Sequence, residues 1–376
     1  MNRSYFDHNA TTPVSARVLE HLVPALADVH GNASSIHHEG QIAKHRMEMA
    51  RRQTAALLHC DPREVIFTSG GTESNNLAIL GTARGHVITT AIEHPSVLNP
   101  CAHLEREGVS VTYLPPGADI RDALRPETVL ISVMHANNET GSIQPIEQIG
   151  RIAREAGVTF HVDGVQAVGK IPVDVKALGA DLYSLSGHKL YAPKGIGALY
   201  VRKGVKLKPL LFGGRHEREM RPGTENVPGA IALGHAAEFA FEDLETESTR
   251  LCQLRDRLEA GILDRVPDTG VNGDPANRLP NTTNIYFDGF DGEGMVISLD
   301  LKGFAVSSGS ACSSGAVEPS HVLLALGLSK DRAKSSIRFS LGSSNTDEQV
   351  DALIDAVTES ATHLRRLSPN YHAARV

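Results

Sequence analysis

The feature that most limits how this chain can fold is a series of short apolar runs separated by helical patterns. Seven such runs stand at 65–68, 86–90, 109–113, 129–134, 158–163, 181–185 and 197–201. Val65-Ile66-Phe67-Thr68 and Val129-Leu130-Ile131-Ser132-Val133-Met134 typify them: rich in β-branched residues and too short for a helix. The stretches 15–28, 38–58 and 145–156 instead carry apolar residues at helical spacing. Strands alternating with helices predict an α/β domain, a mostly parallel seven-stranded sheet with helices on both faces.

The pattern changes near residue 228. A long helical stretch over 228–266 precedes strands at 283–287, 304–306 and 336–340, a helix at 293–301 and a last helix from about 346. That is a smaller α+β unit, as the chain's 376 residues allow. The expected division is a large domain over 14–256 and a small one built from 1–13 and 257–376. Lys and Arg number 37 against 44 Asp and Glu, a net charge of −7, with no basic block. This argues against direct nucleic-acid binding. No apolar run reaches the ~18 residues of a membrane span. Nothing resembles a signal peptide, and Cys60, Cys101, Cys252 and Cys312 form no CxxC pair. They read as reduced thiols of a cytoplasmic protein. Neither HExxH nor paired Cys/His spacing occurs, so no catalytic metal is expected.

Sites in such sheets form at the carboxyl ends of strands. The run ending in Asp163 is followed by Gln166, and the next run leads into Ser186-Gly187-His188-Lys189. Strand–Asp, then Gln, then strand–Ser-x-His-Lys is what a pyridoxal phosphate (PLP) site requires. Lys189 joins the aldehyde as a Schiff base, and Asp163 pairs with the pyridinium nitrogen and keeps it protonated. A buried carboxylate needs such a charged partner. Gln166 can donate to the phenolic oxygen. Gly70-Gly71-Thr72 opens a helix after a strand, where backbone N–H groups bind phosphate; Gly71, Thr72, Ser186 and His188 are its candidate ligands. His94, past a strand end, suits proton transfer at the ring. Asn138 is placed to contact cofactor or substrate. Arg338 is the candidate clamp for a substrate carboxylate, with Asn9 assisting.

Cys312 narrows the reaction. It sits in Ser307-Ser308-Gly309-Ser310-Ala311-Cys312-Ser313-Ser314-Gly315-Ala316, almost all small residues, which predicts an exposed, mobile loop. An accessible thiol there is a candidate nucleophile.

Together these residues resemble the cysteine desulfurases of the NifS/IscS type, within the class V aminotransferase-like PLP enzymes of fold type I. The likeness runs nearly end to end, through Tyr5-Phe6-Asp7-His8-Asn9-Ala10-Thr11-Thr12-Pro13, Thr68 to Asn76, Glu93-His94, Asn137 to Gly141, His161 to Lys170, Ser186 to Lys189, Arg221 to Val227, Ser308 to Gly315 and Glu318 to Leu323. Gly71 stands where Ala is common, and Gly164-Val165 where two small residues are usual. The resemblance implies a homodimer in which Thr224 reaches the phosphate of the partner subunit's cofactor. It implies L-cysteine as substrate, L-alanine as product, and a persulfide on Cys312 that passes sulfur to an acceptor protein such as an iron–sulfur scaffold. It also allows Cys312 to ligate a transient iron–sulfur cluster. Selenocysteine lyase or transaminase chemistry shares every feature except the need for Cys312.

Overall fold

All seven apolar runs become strands of one sheet. A computed structural model of the chain describes residues 3–82, 84–308 and 318–368. Across the sheet the order is Val65–Thr68, Gly197–Val201, Leu182–Ser186, Thr159–Asp163, Thr128–Met134, His86–Thr90, Val111–Leu114. Only Gly197–Val201 runs antiparallel to its neighbours. Most strands are buried on both faces, as a mostly parallel sheet demands, which is why they read as continuous apolar runs. The edge strand Val111–Leu114 is half-buried and starts two residues later than the apolar pattern suggests. Gly197 is required where its strand crosses Gly70, because a Cβ there would come within 2.6 Å of the Gly70 Cα.

The chain packs as two units. The larger holds Thr11–Ala136 and Gln144–Leu244, and so the whole seven-stranded sheet. Helix Ile146–Ala156 illustrates its construction: Ile146, Ile149, Ile152 and Ala153 form the buried stripe, and Gly157 ends the helix in the left-handed conformation at φ 67°.

The smaller unit comprises the chain through Ala10, Asn137–Ile143, and the chain from Glu245 onward. The division falls within the 39-residue helix Val227–Arg265. A three-stranded antiparallel sheet, Ser336–Ser340, Thr282–Phe287 and Thr269–Val271, supports it. Ser4–Tyr5 pairs in parallel with Phe304–Ala305, and Asp7 bridges to Ser340. Phe6, Leu258, Ile262, Ile285, Phe287, Met295, Phe339 and Val357 fill its core. Sequence periodicity does not reveal strands Ser4–Tyr5 and Thr269–Val271 or helices His321–Ala325 and Lys330–Lys334, since each is shorter than two periods of its own pattern.

Candidate active site

In the larger unit, parallel strands end at Thr68, Thr90, Met134, Asp163 and Ser186, on one side of the sheet. Asp163 lies opposite Met134 on one neighbour and Ser184 on the other, so its strand and that leading to Lys189 are adjacent. The Asp163 side chain is buried. Its Oδ2 accepts from Asn75 Nδ2 at 2.7 Å and its Oδ1 from the Val165 N–H at 3.0 Å. Among the described residues no Lys, Arg or His forms an ion pair with it. A buried carboxylate with only neutral donors fits a cationic ring N–H as its partner, which is what a protonated pyridine supplies.

The other expected cofactor residues stand at the same strand ends. Lys189 closes a short 3-10 turn, Gly187–Lys189, directly after strand Leu182–Ser186. The turn is fastened by Thr12, whose N–H and Oγ1 both donate to the His188 carbonyl, at 2.9 and 3.0 Å. His188 Nδ1 lies 3.1 Å from Thr11 Oγ1. Burial, then the nearby charges of Lys189, Lys194 and Lys170, pushes His188 down to about 4, so its imidazole is neutral near pH 7. Gln166 is buried and accepts from Lys170 Nζ at 2.7 Å through Oε1, which leaves the amide nitrogen as its donor end. Helix Gly71–Gly81 begins without a side-chain cap, and a Cβ placed on Gly70 would lie 3.6 Å from Ser186 Oγ. Uncapped N–H groups and a serine hydroxyl thus meet at one helix start, a donor set suited to phosphate. Thr72 is exposed at the same turn. Thr224 is exposed in the turn before helix Val227–Arg265; Arg221 Nε in that turn binds Glu73 Oε1 at 3.0 Å.

His94 caps helix Pro95–Arg106, with its ring exposed and Nδ1 accepting from the Ser96 N–H at 3.1 Å. Glu93, beside it, is fully buried and braces two strand ends: its Oε1 accepts from Thr90 Oγ1 at 2.6 Å and from the Met134 N–H at 3.0 Å. Burial pushes Glu93 up to about 8, which keeps it protonated near pH 7.

The residues expected to hold substrate belong to the smaller unit. Arg338 is 5% exposed; its Nη2 pairs with Asp7 Oδ1 at 2.6 Å and its Nη1 donates to the Asn138 carbonyl at 3.1 Å. Its Nε–H has no partner among the described residues, an unmet donor suited to an incoming carboxylate. Asn9 commits its amide hydrogens to the Asn138 carbonyl and to Thr282 Oγ1, and so acts as a brace for this cluster. Ser307 pairs through its backbone with Arg338, and the chain toward Cys312 departs from there. Cys312 itself lies outside the described residues. Of the other cysteines, burial pushes the Cys60 and Cys101 thiols up to about 12, and Cys252 accepts from Arg255 Nη2 at 3.1 Å.

The family model for class-V aminotransferases matches residues 4–353. The chain belongs to that family. Class-V aminotransferases work with PLP, in keeping with the donor set around Asp163. The chain is 48% identical over 378 residues to a cysteine desulfurase IscS of Methanosarcina thermophila, covering 97% of this chain and 93% of that one. It is 48% identical over 390 residues to a cysteine desulfurase of Gluconacetobacter diazotrophicus, covering 100% and 97%. Among solved structures, a NifS-like protein superposes with a TM-score of 0.90 at 36% identity, over 96% of this chain and all of that one. SspA, solved in complex with cysteine, superposes with a TM-score of 0.80 at 39% identity, over 90% of this chain and 98% of that one.

The two departures from the family pattern are one packing exchange. A Cβ at Gly71 would meet Val165 Cγ2 at 2.7 Å. Val165 therefore occupies the space that an alanine methyl would take at position 71. Gly71→Ala should cost about 1–3 kcal/mol of stability by overpacking. Adding Val165→Ala should restore most of it in chemical denaturation. Additive losses in the double variant would show that the two side chains do not compete for one space.

Proposed function

We infer that this class-V enzyme is a cysteine desulfurase: it takes sulfur from L-cysteine onto Cys312 and releases L-alanine. The observation that carries the reading is the buried Asp163 carboxylate, held only by neutral donors, on the strand adjacent to the one that leads into the Lys189 turn. Its relatives named cysteine desulfurase match it over nearly its whole length.

Lys189, Asp163, Gln166, Ser186, His188 and the Gly71–Thr72 helix start would hold PLP. Bound PLP supplies an electron sink for the substrate Cα. Asp163 holds the proton on the ring nitrogen. Lys189 Nζ, once displaced by the substrate amine, takes the Cα proton. His94 moves protons through Nε2. Arg338, steadied by Asp7 and the Asn138 carbonyl, binds the substrate carboxylate. The Cys312 thiolate then attacks the substrate sulfur. An S–S bond forms, the Cβ–S bond breaks, and its electron pair ends with a proton at Cβ, giving the methyl group of alanine. Protein sulfur gains a sulfane atom and the substrate carbon is reduced by the same two electrons.

A homodimer fits the exposed apolar side chains of the larger unit, among them Val23, Leu26, Ile36 and Phe212 at 58, 64, 95 and 91% exposure. Thr224 would then serve the partner subunit's cofactor. The persulfide would pass to an acceptor protein such as an iron–sulfur scaffold. No helix among the described residues is long and apolar enough to cross a membrane.

Purified protein loaded with PLP and given L-cysteine and a reductant should release alanine and sulfide in equal amounts. Pyruvate and ammonia in place of alanine, or amino-group transfer to a keto acid, would overturn the assignment.

A further inference from the structure

Asn75 joins the two groups that flank the proposed ring site. It stands in the first turns of helix Gly71–Gly81 with 0% exposure. Its Nδ2 donates both hydrogens, one to Asp163 Oδ2 at 2.7 Å and one to Ser96 Oγ at 2.8 Å. Its Oδ1 is buried with no partner among the described residues. Turning the amide over would set Oδ1 against the ionised Asp163 oxygen, so the carboxylate dictates which end faces it. Leaving the oxygen unpaired is the cost of aiming both hydrogens at these two acceptors.

That polarity passes onward. Ser96 Oγ accepts from Asn75, so its own O–H is left to donate, and His94 Nδ1 lies 2.8 Å away. The Ser96 N–H also points at the same nitrogen, at 3.1 Å. Nδ1 is therefore an acceptor, and the ring proton of neutral His94 sits on Nε2.

We propose that Asn75 is a positioning residue that couples Asp163 to His94: through Ser96 it holds the ionised carboxylate and the Nε2–H tautomer of His94 as one hydrogen-bonded unit. The proposal rests on the roles given to Asp163 and His94. It adds that neither is oriented independently of the other.

The test uses holoenzyme carrying isotope-labelled histidine, with the His94 signal assigned by its loss in His94→Gln. In the wild type, the nitrogen spectrum should show His94 Nδ1 as an unprotonated acceptor and Nε2 as protonated. Asn75→Leu removes both donors in a similar volume. It should shift the His94 Nδ1 signal, because the Ser96 hydroxyl is no longer held as its donor and only the Ser96 N–H stays aimed at it, and weaken PLP binding by about ten- to a hundredfold, the loss of one charge-assisted hydrogen bond. Ser96→Ala should move the His94 signal while leaving the PLP dissociation constant within about threefold, because the Asn75–Asp163 bond survives. A merely structural asparagine would lower thermal stability and leave the His94 signal where it was, and that result would overturn the coupling. If Asn75→Leu does not fold, the wild-type tautomer and Ser96→Ala still decide: Nδ1–H in the wild type, or an unmoved signal in Ser96→Ala, overturns the proposal. A holoenzyme that shows the relay yet makes no alanine would overturn the desulfurase assignment alone.

Discussion

Cys312→Ala is expected to leave PLP uptake and the visible spectrum of the holoenzyme at wild-type levels while cutting persulfide formation and sulfide release by roughly a thousandfold or more. In the proposed scheme the Cys312 thiol is the atom that takes the sulfur, and neither Cys60 nor Cys101 is suited to replace it. Cys60 and Cys101 are held as neutral thiols by burial. A thiol pushed up to about 12 exposes almost no thiolate near pH 7. Mass spectrometry of cysteine-treated protein should show one added sulfur on the peptide bearing Cys312 and none in the variant. Alanine and sulfide at wild-type rates in Cys312→Ala would sink the scheme and point to chemistry of the selenocysteine lyase kind.

Lys189→Ala should be at least as damaging, with turnover lower by roughly 10⁴-fold or more, because in the proposed scheme one side chain holds the cofactor and moves the Cα proton. The structure separates this loss from simple failure to bind. The phosphate donors at the Gly71 helix start, Ser186, and the Asp163 carboxylate belong to other residues, so Lys189→Ala should retain PLP without a covalent link. Borohydride reduction followed by peptide mapping should fix PLP to the Lys189 peptide in the wild type and to no peptide in the variant. Label on another lysine, or turnover within tenfold of wild type, would remove Lys189 from its assigned role.

How far the chain could be read depended on whether a feature had a local pattern. The strands of the large sheet were legible because each is a short apolar run buried on both faces. Their lateral order was not, since pairing partners leave no mark on the run itself. The reversed direction of Gly197–Val201 does have a signal in the sequence: only ten residues, with no α-helix, separate it from Leu182–Ser186, too few for a parallel crossover. Asp163 and Lys189 are legible because a charged residue that closes an apolar strand, or follows one within a single turn, is conspicuous. Asn75 stands inside a longer polar motif that gives it no separate mark. Its warning was a polar side chain on the same helical face as Ala78 and Ile79, both buried. The membership of Asn137–Ile143 in the smaller unit rests on backbone bonds from Ile143 N to the Asn277 carbonyl and from Leu279 N to the Gly141 carbonyl, which join segments remote in sequence. Gly71 and Val165 each looked like a departure from pattern; only their contact shows that one explains the other.

The scattered origin of the smaller unit has a consequence for how the protein is made. Asp7 meets Arg338, and Asn9 meets Ser340 across 331 positions of sequence, so during synthesis the earlier partner of each pair waits for the later one. At ~5–20 residues per second that wait is roughly 15–65 s. The large sheet, complete by Val201, can close during it. The Asp7–Arg338 pair proposed to hold the substrate carboxylate thus forms late, and a nascent chain can complete the sheet that carries Asp163 well before that pair exists.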